Sequence, residues 1–284
     1  MGANAVLLLS CPDQRGIVRS VAEFVERHGG NIVDAEQHTD EAEGVFFQRV
    51  EFELDGFGLE RSEILTAFEP IRAKFAMAAD LRCTDERTKV AILASKQPHC
   101  LDDLLTRWRT GELDAQLELV IANHPDHQQV CEFVGVPFHY LPVDPGHKAE
   151  QERRVRELLA RNGIQLVVLA RYMQILSAEF TDAYANRIIN IHHSFLPAFV
   201  GARPYHQAHD RGVKLIGVTA HYATSELDQG PIIEQDVTRV NHRNSVEELV
   251  RKGRDLETAV LARAVRAHLE HRVLVYGRKT VVFG

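Results

Sequence analysis

Apolar and polar positions alternate in two successive styles along the chain. Over the first 83 residues the pattern predicts strand, helix, strand, strand, helix, strand. Asn4 to Ser10 is an apolar strand. From Asp13 to His28, Ile17, Val18, Val21, Phe24 and Val25 recur on one helical face, and Gly29-Gly30 follows as a helix end. Asn31 to His38 and Val45 to Leu54 read as strands joined by a turn at Glu41–Gly44. In the second, Phe47, Val50, Phe52 and Leu54 keep period two only in part. A helix is expected from about Leu59 to Met77, then a short strand near Leu81. This βαββαβ order is that of a ferredoxin-like sandwich.

After a polar linker, Thr84 to Thr88, strands alternate with helices. Lys89–Ser95, Leu117–Asn123, Phe138–Pro142, Leu166–Ala170 and Arg187–His192 read as strands. Leu101–Trp108, Asp126–Phe133 and Lys148–Arg161 read as helices. The last third adds strands at Lys214–Tyr222 and Pro231–Val240, a long helix from Ser245 to about His271, and a terminal hairpin. Such alternation implies a mostly parallel, Rossmann-like sheet with right-handed crossovers. The expected class is α/β, with one domain over 1–83 and a second over 88–284. In open sheets of this kind, sites lie at the carboxyl ends of the strands.

A length of 284 residues suits two domains of about 150 residues each. With 45% hydrophobic and 26% charged residues the composition is that of a soluble globular protein. A net charge of −7 lacks the basic excess typical of nucleic-acid binders. Cys11, Cys83, Cys100 and Cys131 form no CxxC pair, so reduced thiols in the cytosol are the simple reading. The first residues lack a basic signal-peptide region, and no stretch approaches a membrane span. A cytoplasmic protein with no nucleic-acid or membrane partner is expected.

The densest polar cluster ends an apolar strand: Asn190-Ile191-His192-His193-Ser194. Asn190 and His192 alternate by two and so face one side of it. An amide beside an imidazole suits a developing oxyanion; a pair of satisfied core polar groups reads equally well. Asp228 lies in a turn before Gly230-Pro231, where it can project into a cleft or serve only the turn. His221, on the strand before it, reads either as an orienting group for that loop or as a hydrogen-bonded core histidine. His192, His193, His206 and His221 have no HExxH-like spacing, and no metal is expected.

These segments together resemble the folate-dependent formyltransferases. The likeness rests on Leu169-Ala170-Arg171-Tyr172-Met173-Gln174-Ile175-Leu176-Ser177, on Asn190-Ile191-His192 with Ser194-Phe195-Leu196-Pro197, and on His221 with Leu227-Asp228-Gln229-Gly230-Pro231-Ile232-Ile233. The resemblance implies a catalytic trio of Asn190, His192 and Asp228. It implies a folate pocket lined by Met173, Gln174, Ile175 and Leu176 and by Thr224, Ser225, Glu226 and Leu227. His221 matches a transferase histidine, and His193, His206 and His221 are the further supporting candidates. The first part resembles an ACT module through Ser10-Cys11-Pro12-Asp13-Gln14-Arg15-Gly16-Ile17-Val18 and Gly29-Gly30-Asn31-Ile32. An amino-acid effector at Asp13, Gln14, Arg15, Gly16 and Asn31 is the implied use, though a capped helix explains Asp13 and Gly16 as well.

An ACT module ahead of a formyltransferase-like domain resembles the formyltetrahydrofolate deformylases, as does the run from His192 to Ala208. The implied reaction is hydrolysis of 10-formyltetrahydrofolate to tetrahydrofolate and formate, supplying formate for purine biosynthesis, by a homo-oligomer (dimer or tetramer) with no cofactor beyond the folate. The rival readings are formyl transfer to an amine and a folate or amino-acid sensor without catalysis. Ser95-Lys96-Gln97-Pro98-His99-Cys100-Leu101, after the first strand of the second part, lacks the glycines of the transferases' phosphate loop, and Pro98 removes a donor. That favours water as the acceptor. His193 stands where the transferases have proline.

Overall fold

The structure, a computed structural model, describes residues 2–144, 146–198 and 203–284. Residues 1–87, 270–276 and 281–284 form one compact unit, and residues 88–269 and 277–280 a second.

The first unit runs β1 (Asn4–Pro12), α1 (Ile17–Arg27), β2 (Ile32–Asp40), β3 (Val45–Glu53), α2 (Arg61–Phe75) and β4 (Ala78–Cys83). Its antiparallel sheet has the order β2-β3-β1-β4. Ala5, Leu7 and Leu9 of β1 face the helices, against Ile17, Val21 and Phe24 of α1 and Ile64 and Phe68 of α2. Val6 and Leu8 face the other way, with Phe47, under Leu274, Tyr276 and Phe283. Both faces are therefore covered, which is why β3 does not keep a clean period of two. The cover on the second face is the C-terminal hairpin, Val273–Tyr276 and Lys279–Val282. Its strand Val273–Tyr276 and the end 281–284 thus count with the first unit, not with the second domain as the order along the chain suggests. A second difference lies at α1. It starts at Ile17, because Gly16 turns the chain with φ 94°, and no side chain caps it. Asp13 is no N-cap; its backbone N–H donates to the Gly44 carbonyl at 2.8 Å.

The second unit continues with β5 (Lys89–Ala94), α3 (His99–Arg109), β6 (Gln116–Ala122), a 3-10 turn (Pro125–His127), α4 (Gln128–Val134), β7 (Phe138–Tyr140), α5 (Lys148–Arg161), β8 (Leu166–Ala170), α6 (Ala178–Ala183), β9 (Ile188–His192), α7 (Pro204–Asp210), β10 (Leu215–Tyr222), β11 (Ile232–Arg239) and α8 (Val246–Leu269). Seven strands form one sheet, in the order β11-β10-β9-β8-β5-β6-β7. The strands from β5 to β9 are parallel, and β10 is antiparallel to both its neighbours. Helices α6 and α7, of six and seven residues, escape sequence reading because neither completes two turns of periodicity. β5 has β6 on one side and β8 on the other, so the winding reverses there and opens a crevice at the carboxyl ends of β5 and β8. Among the described residues no helix is long and apolar enough to cross a membrane.

Candidate active site

The crevice widens into a cavity of about 600 Å³ at the carboxyl edge of the sheet. β9 enters it as a buried apolar strand: Ile188, Ile189 and Ile191 are all buried. Each such side chain contributes about 1.5–3 kcal/mol of burial free energy. That packing fixes the strand from which Asn190 and His192 reach the cavity.

Opposite them a tight turn presents Asp228. The turn closes where the Tyr222 N–H donates to the Pro231 carbonyl at 2.9 Å. Gly230 passes so close to the Tyr222 carbonyl that a Cβ at that position would collide with it. Asp228 itself has φ 57°, a left-handed conformation that Asp tolerates better than most residues.

The hydrogen bonds assign the protons of this group. Nδ1 of His221 lies 3.0 Å from the Tyr222 carbonyl. A carbonyl only accepts, so Nδ1 carries a proton and Nε2 of the neutral ring offers a lone pair. Asn190 Nδ2 donates to that Nε2 at 3.2 Å, which orients the Asn190 amide. Burial, the largest influence, lowers the pKa of His221 and favours this neutral ring. His192 Nδ1 lies 3.2 Å from Asp228 Oδ1, and His221 Nε2 lies 3.9 Å from the same oxygen. Burial pushes the Asp228 carboxyl up, but the hydrogen bond and charge of His192 outweigh it and hold it below the usual carboxylate range. His192 Nε2 is buried with no partner among the described residues. An unsatisfied buried polar atom costs about 1–3 kcal/mol. Next to a carboxylate in a cavity, it marks a place kept for a ligand.

One wall of the cavity is apolar. Met173 and Ile175 are large and exposed, on a segment pinned at both ends. The Met173 N–H donates to Ser95 Oγ at 2.9 Å. Gln151 Nε2 donates to Tyr172 Oη at 3.1 Å, and the Ser177 N–H and hydroxyl both donate to Glu152. Gln151 and Glu152 are thus buried polar residues of α5, beside the apolar Val155 and Leu159. Their work is to hold an exposed apolar loop in shape.

A second carboxylate lies across the cavity, on α8. Glu257 is 1% exposed. Its Oε2 is 2.7 Å from His99 Nε2 and 3.4 Å from Arg171 Nε, and its Oε1 accepts from Tyr205 Oη at 2.8 Å. Burial raises its pKa, but His99, Arg171 and Tyr205 together bring it below the usual value. Tyr205 reaches it only because residue 253, one turn earlier on α8, is glycine: a Cβ there would strike the Tyr205 hydroxyl. Arg171 Nη1 in turn donates to His193 Nδ1. The His193 and His192 rings stack, with centroids 5.2 Å apart and planes 20° apart.

Asn190, His192, His193, His206 and His221 therefore all line the cavity with Asp228, as do Met173, Gln174, Ile175, Leu176, Thr224, Ser225 and Leu227. Glu226 does not. It points to solvent, with Oε2 3.4 Å from Arg278 Nη2, because the turn needed to present Asp228 leaves Glu226 on its outer side. In the first unit Asp13, Gln14, Arg15, Gly16 and Asn31 are all exposed. Phe199 to Ala202, within the run resembling the deformylases, lie outside the described residues. Sequence reading missed Arg171, Glu257, His99 and Tyr205 as a group. The available signal was Glu257 itself, a carboxylate on the helical face otherwise made by Leu249, Gly253, Val260 and Ala264.

Ligand atoms of His99, Cys100 and Glu257 lie within 4.8 Å of one another, close enough for a cation. The donor set does not suit one. Both Glu257 oxygens already accept hydrogen bonds, the Arg171 guanidinium faces the same carboxylate, and burial holds the Cys100 thiol protonated.

Comparison with known proteins agrees with this architecture. The formyl transferase family matches residues 88–265, and the ACT domain family matches residues 5–68. The formyltetrahydrofolate deformylase of Synechocystis sp. is 54% identical over 99% of this chain and 98% of its own length. That of Bacillus subtilis is 50% identical over 98% of this chain and 93% of its own. The crystal structure of a formyltetrahydrofolate deformylase from Pseudomonas syringae superposes with a TM-score of 0.98 at 48% identity, covering 100% of this chain and 95% of that one. An ACT unit joined to a formyltransferase unit, with relatives of this identity along the whole chain, places the protein in the formyltetrahydrofolate deformylase family.

Proposed function

We propose that the protein hydrolyses 10-formyltetrahydrofolate to tetrahydrofolate and formate at the Asn190–His192–Asp228 cluster. One observation carries the assignment of residues: the Nε2 of His192, unpartnered among the described residues, lies in the same cavity as an ionised Asp228 and an oriented Asn190 amide. Attack on an N-formyl carbonyl needs a base for water, donors for the oxyanion, and a proton for the departing nitrogen. Asp228 takes a proton from water as its oxygen adds to the formyl carbon, a step worth roughly 10²–10⁴-fold. The oxyanion accepts from Asn190 Nδ2–H and from the His192 imidazolium at Nε2; one such donor contributes about 3 kcal/mol. Collapse breaks the C–N bond, the proton held by Asp228 passes to N10, and the one-carbon product leaves as formic acid, which gives its remaining proton to solvent and becomes formate. The apolar 173–176 wall and Thr224, Ser225 and Leu227 of the turn before Asp228 hold the folate. The proton transfer and the oxyanion are served by side chains of the chain, and the folate is the one cofactor-like molecule in the scheme.

Water is the acceptor. α3 is entered through Pro98, which has no N–H, and Gln97 and His99 are tied to Arg254 and Glu257 of α8. This leaves the segment after β5 poorly suited to cradle a phosphorylated amine. An amino-acid effector binds the exposed Asp13–Gly16 turn with Asn31, in a homo-oligomer of two or four chains. Four buried free cysteines accord with the reducing cytoplasm, where the formate feeds purine biosynthesis. The test is formate release from 10-formyltetrahydrofolate in ¹⁸O-water with no amine present. Stoichiometric tetrahydrofolate and formate carrying one ¹⁸O are expected. Tight folate binding with no formate would instead mean a transferase or a sensor.

A further inference from the structure

The steps above leave Arg171 and His193 without a role, although both line the cavity beside the trio. Arg171 follows β8 directly, with φ 59°, a left-handed conformation uncommon for a bulky side chain and concentrated at functional sites. From there its guanidinium makes two contacts among the described residues. Nη1 donates to His193 Nδ1, and Nε stands 3.4 Å from Glu257 Oε2. The remaining Glu257 bonds, to His99 and Tyr205, fix the carboxylate from two further elements. Arginine has no acceptor. His193 Nδ1 must therefore accept, and the single proton of the neutral ring sits on Nε2. That ring stacks on His192, whose own Nδ1 faces Asp228.

We propose that Arg171, anchored by Glu257, is a positioning residue that fixes His193 as a neutral ring protonated on Nε2, and so confines the positive charge of the stacked histidine pair to His192. The effect on rate rests on the hydrolytic reading above; the proton assignment does not.

The charged and titratable groups around His193 are divided between the two rings. Arg171 faces it from the end of β8, Glu257 from α8, His192 from β9 and Asp228 from the turn before β11; the Tyr205 ring of α7 lies 6.2 Å away. Burial and then the Arg171 charge push His193 down to about 4. His192, in contrast, has a carboxylate on its Nδ1. Here His192 is the ring suited to the imidazolium, and His193 is the one held neutral beside it. A proton on His193 would break the Arg171 bond and set a cation against the His192 imidazolium.

Histidine ¹⁵N NMR of the full-length protein reads this directly, with His193 assigned by loss of its signals in His193→Gln. Wild type is expected to show His193 protonated on Nε2, bare at Nδ1, and without titration above about pH 5. In Arg171→Met the tautomers mix and the His193 midpoint rises by at least about one pH unit. Arg171→Lys, which keeps the charge without the fork, moves it less. In formate release, kcat/KM of Arg171→Met acquires an extra acid limb, with a deficit against wild type that widens up to about tenfold per pH unit below the new midpoint. A wild-type His193 carrying its proton on Nδ1, or an unchanged His193 titration in Arg171→Met, overturns the proposal. If wild type releases no formate, the hydrolytic reading fails, and the NMR result still decides the proton assignment.

Discussion

Asp228 and Glu257 are two carboxylates on one cavity, the first beside His192 and His221 and the second bonded to His99, and each is held below its ordinary pKa. They differ in what is left open. Both Glu257 oxygens accept hydrogen bonds, and its side chain is 2% exposed. Asp228 accepts from His192 through Oδ1 alone, is 11% exposed, and its Oδ2 takes no hydrogen bond among the described residues. A saturated carboxylate can hold other groups in place but cannot take a proton from water without losing its bonds. An open one can. The chemistry belongs to the Asp228 side, and the Glu257 side sets the positions and protons of the rings around it.

Separating those roles experimentally begins with the largest effect. Asp228→Asn is expected to lower kcat by about 10²–10⁴-fold with folate binding retained, since the amide keeps the shape and loses the base; steady-state formate release with folate titration measures both. Asn190→Ala should follow, at about 10²–10³-fold in kcat. Glu257→Gln breaks a buried, hydrogen-bonded charge set, and is expected to cost about 3–5 kcal/mol of stability, read from urea unfolding. Glu226→Ala, which removes a residue outside the cavity wall, should leave KM for the folate within about twofold, the size of an exposed ion-pair effect; a tenfold rise would bring that side chain back into the pocket.

Acid sharpens the same contrast. The Asp228 and Glu257 carboxyls have lowered folded pKa values, so their stabilisation is complete above the ordinary carboxylate range and is lost as pH falls through the folded values. His193, His221 and, in the first unit, His271 are also lowered, His193 and His271 to about 4. The unfolded chain then binds protons that the folded chain does not, and stability falls as pH drops from about 6.5 toward 4. Urea midpoints should decline steadily over that interval; a flat profile would contradict the neutral buried rings.

Sequence periodicity carries the local part of this picture well. β9 is legible as an apolar strand, and the two-residue spacing already puts Asn190 and His192 on one face. Asp228 needs more, because a lone Asp before Gly-Pro is ordinary turn chemistry; only the order of segments singles it out. Glu257, Arg171, His99 and Tyr205 come from four places in the chain and meet only when α8 lies against the sheet. No local pattern pairs His99 with Glu257, 158 residues away. The C-terminal hairpin is the same case: its apolar residues are visible, but the face they cover is built from β1 and β3. Glu226 shows the opposite failure, since adjacency to a pocket loop says nothing about which side of the turn a side chain takes.

The most direct measurement compares formate release by Asp228→Asn and Glu257→Gln with that of wild type, at saturating 10-formyltetrahydrofolate and at a temperature where both variants remain folded. The open-carboxylate assignment expects turnover to collapse in Asp228→Asn while folded Glu257→Gln keeps a clearly larger share of it. Equal activity in Asp228→Asn and wild type, or a greater loss in folded Glu257→Gln, would contradict it.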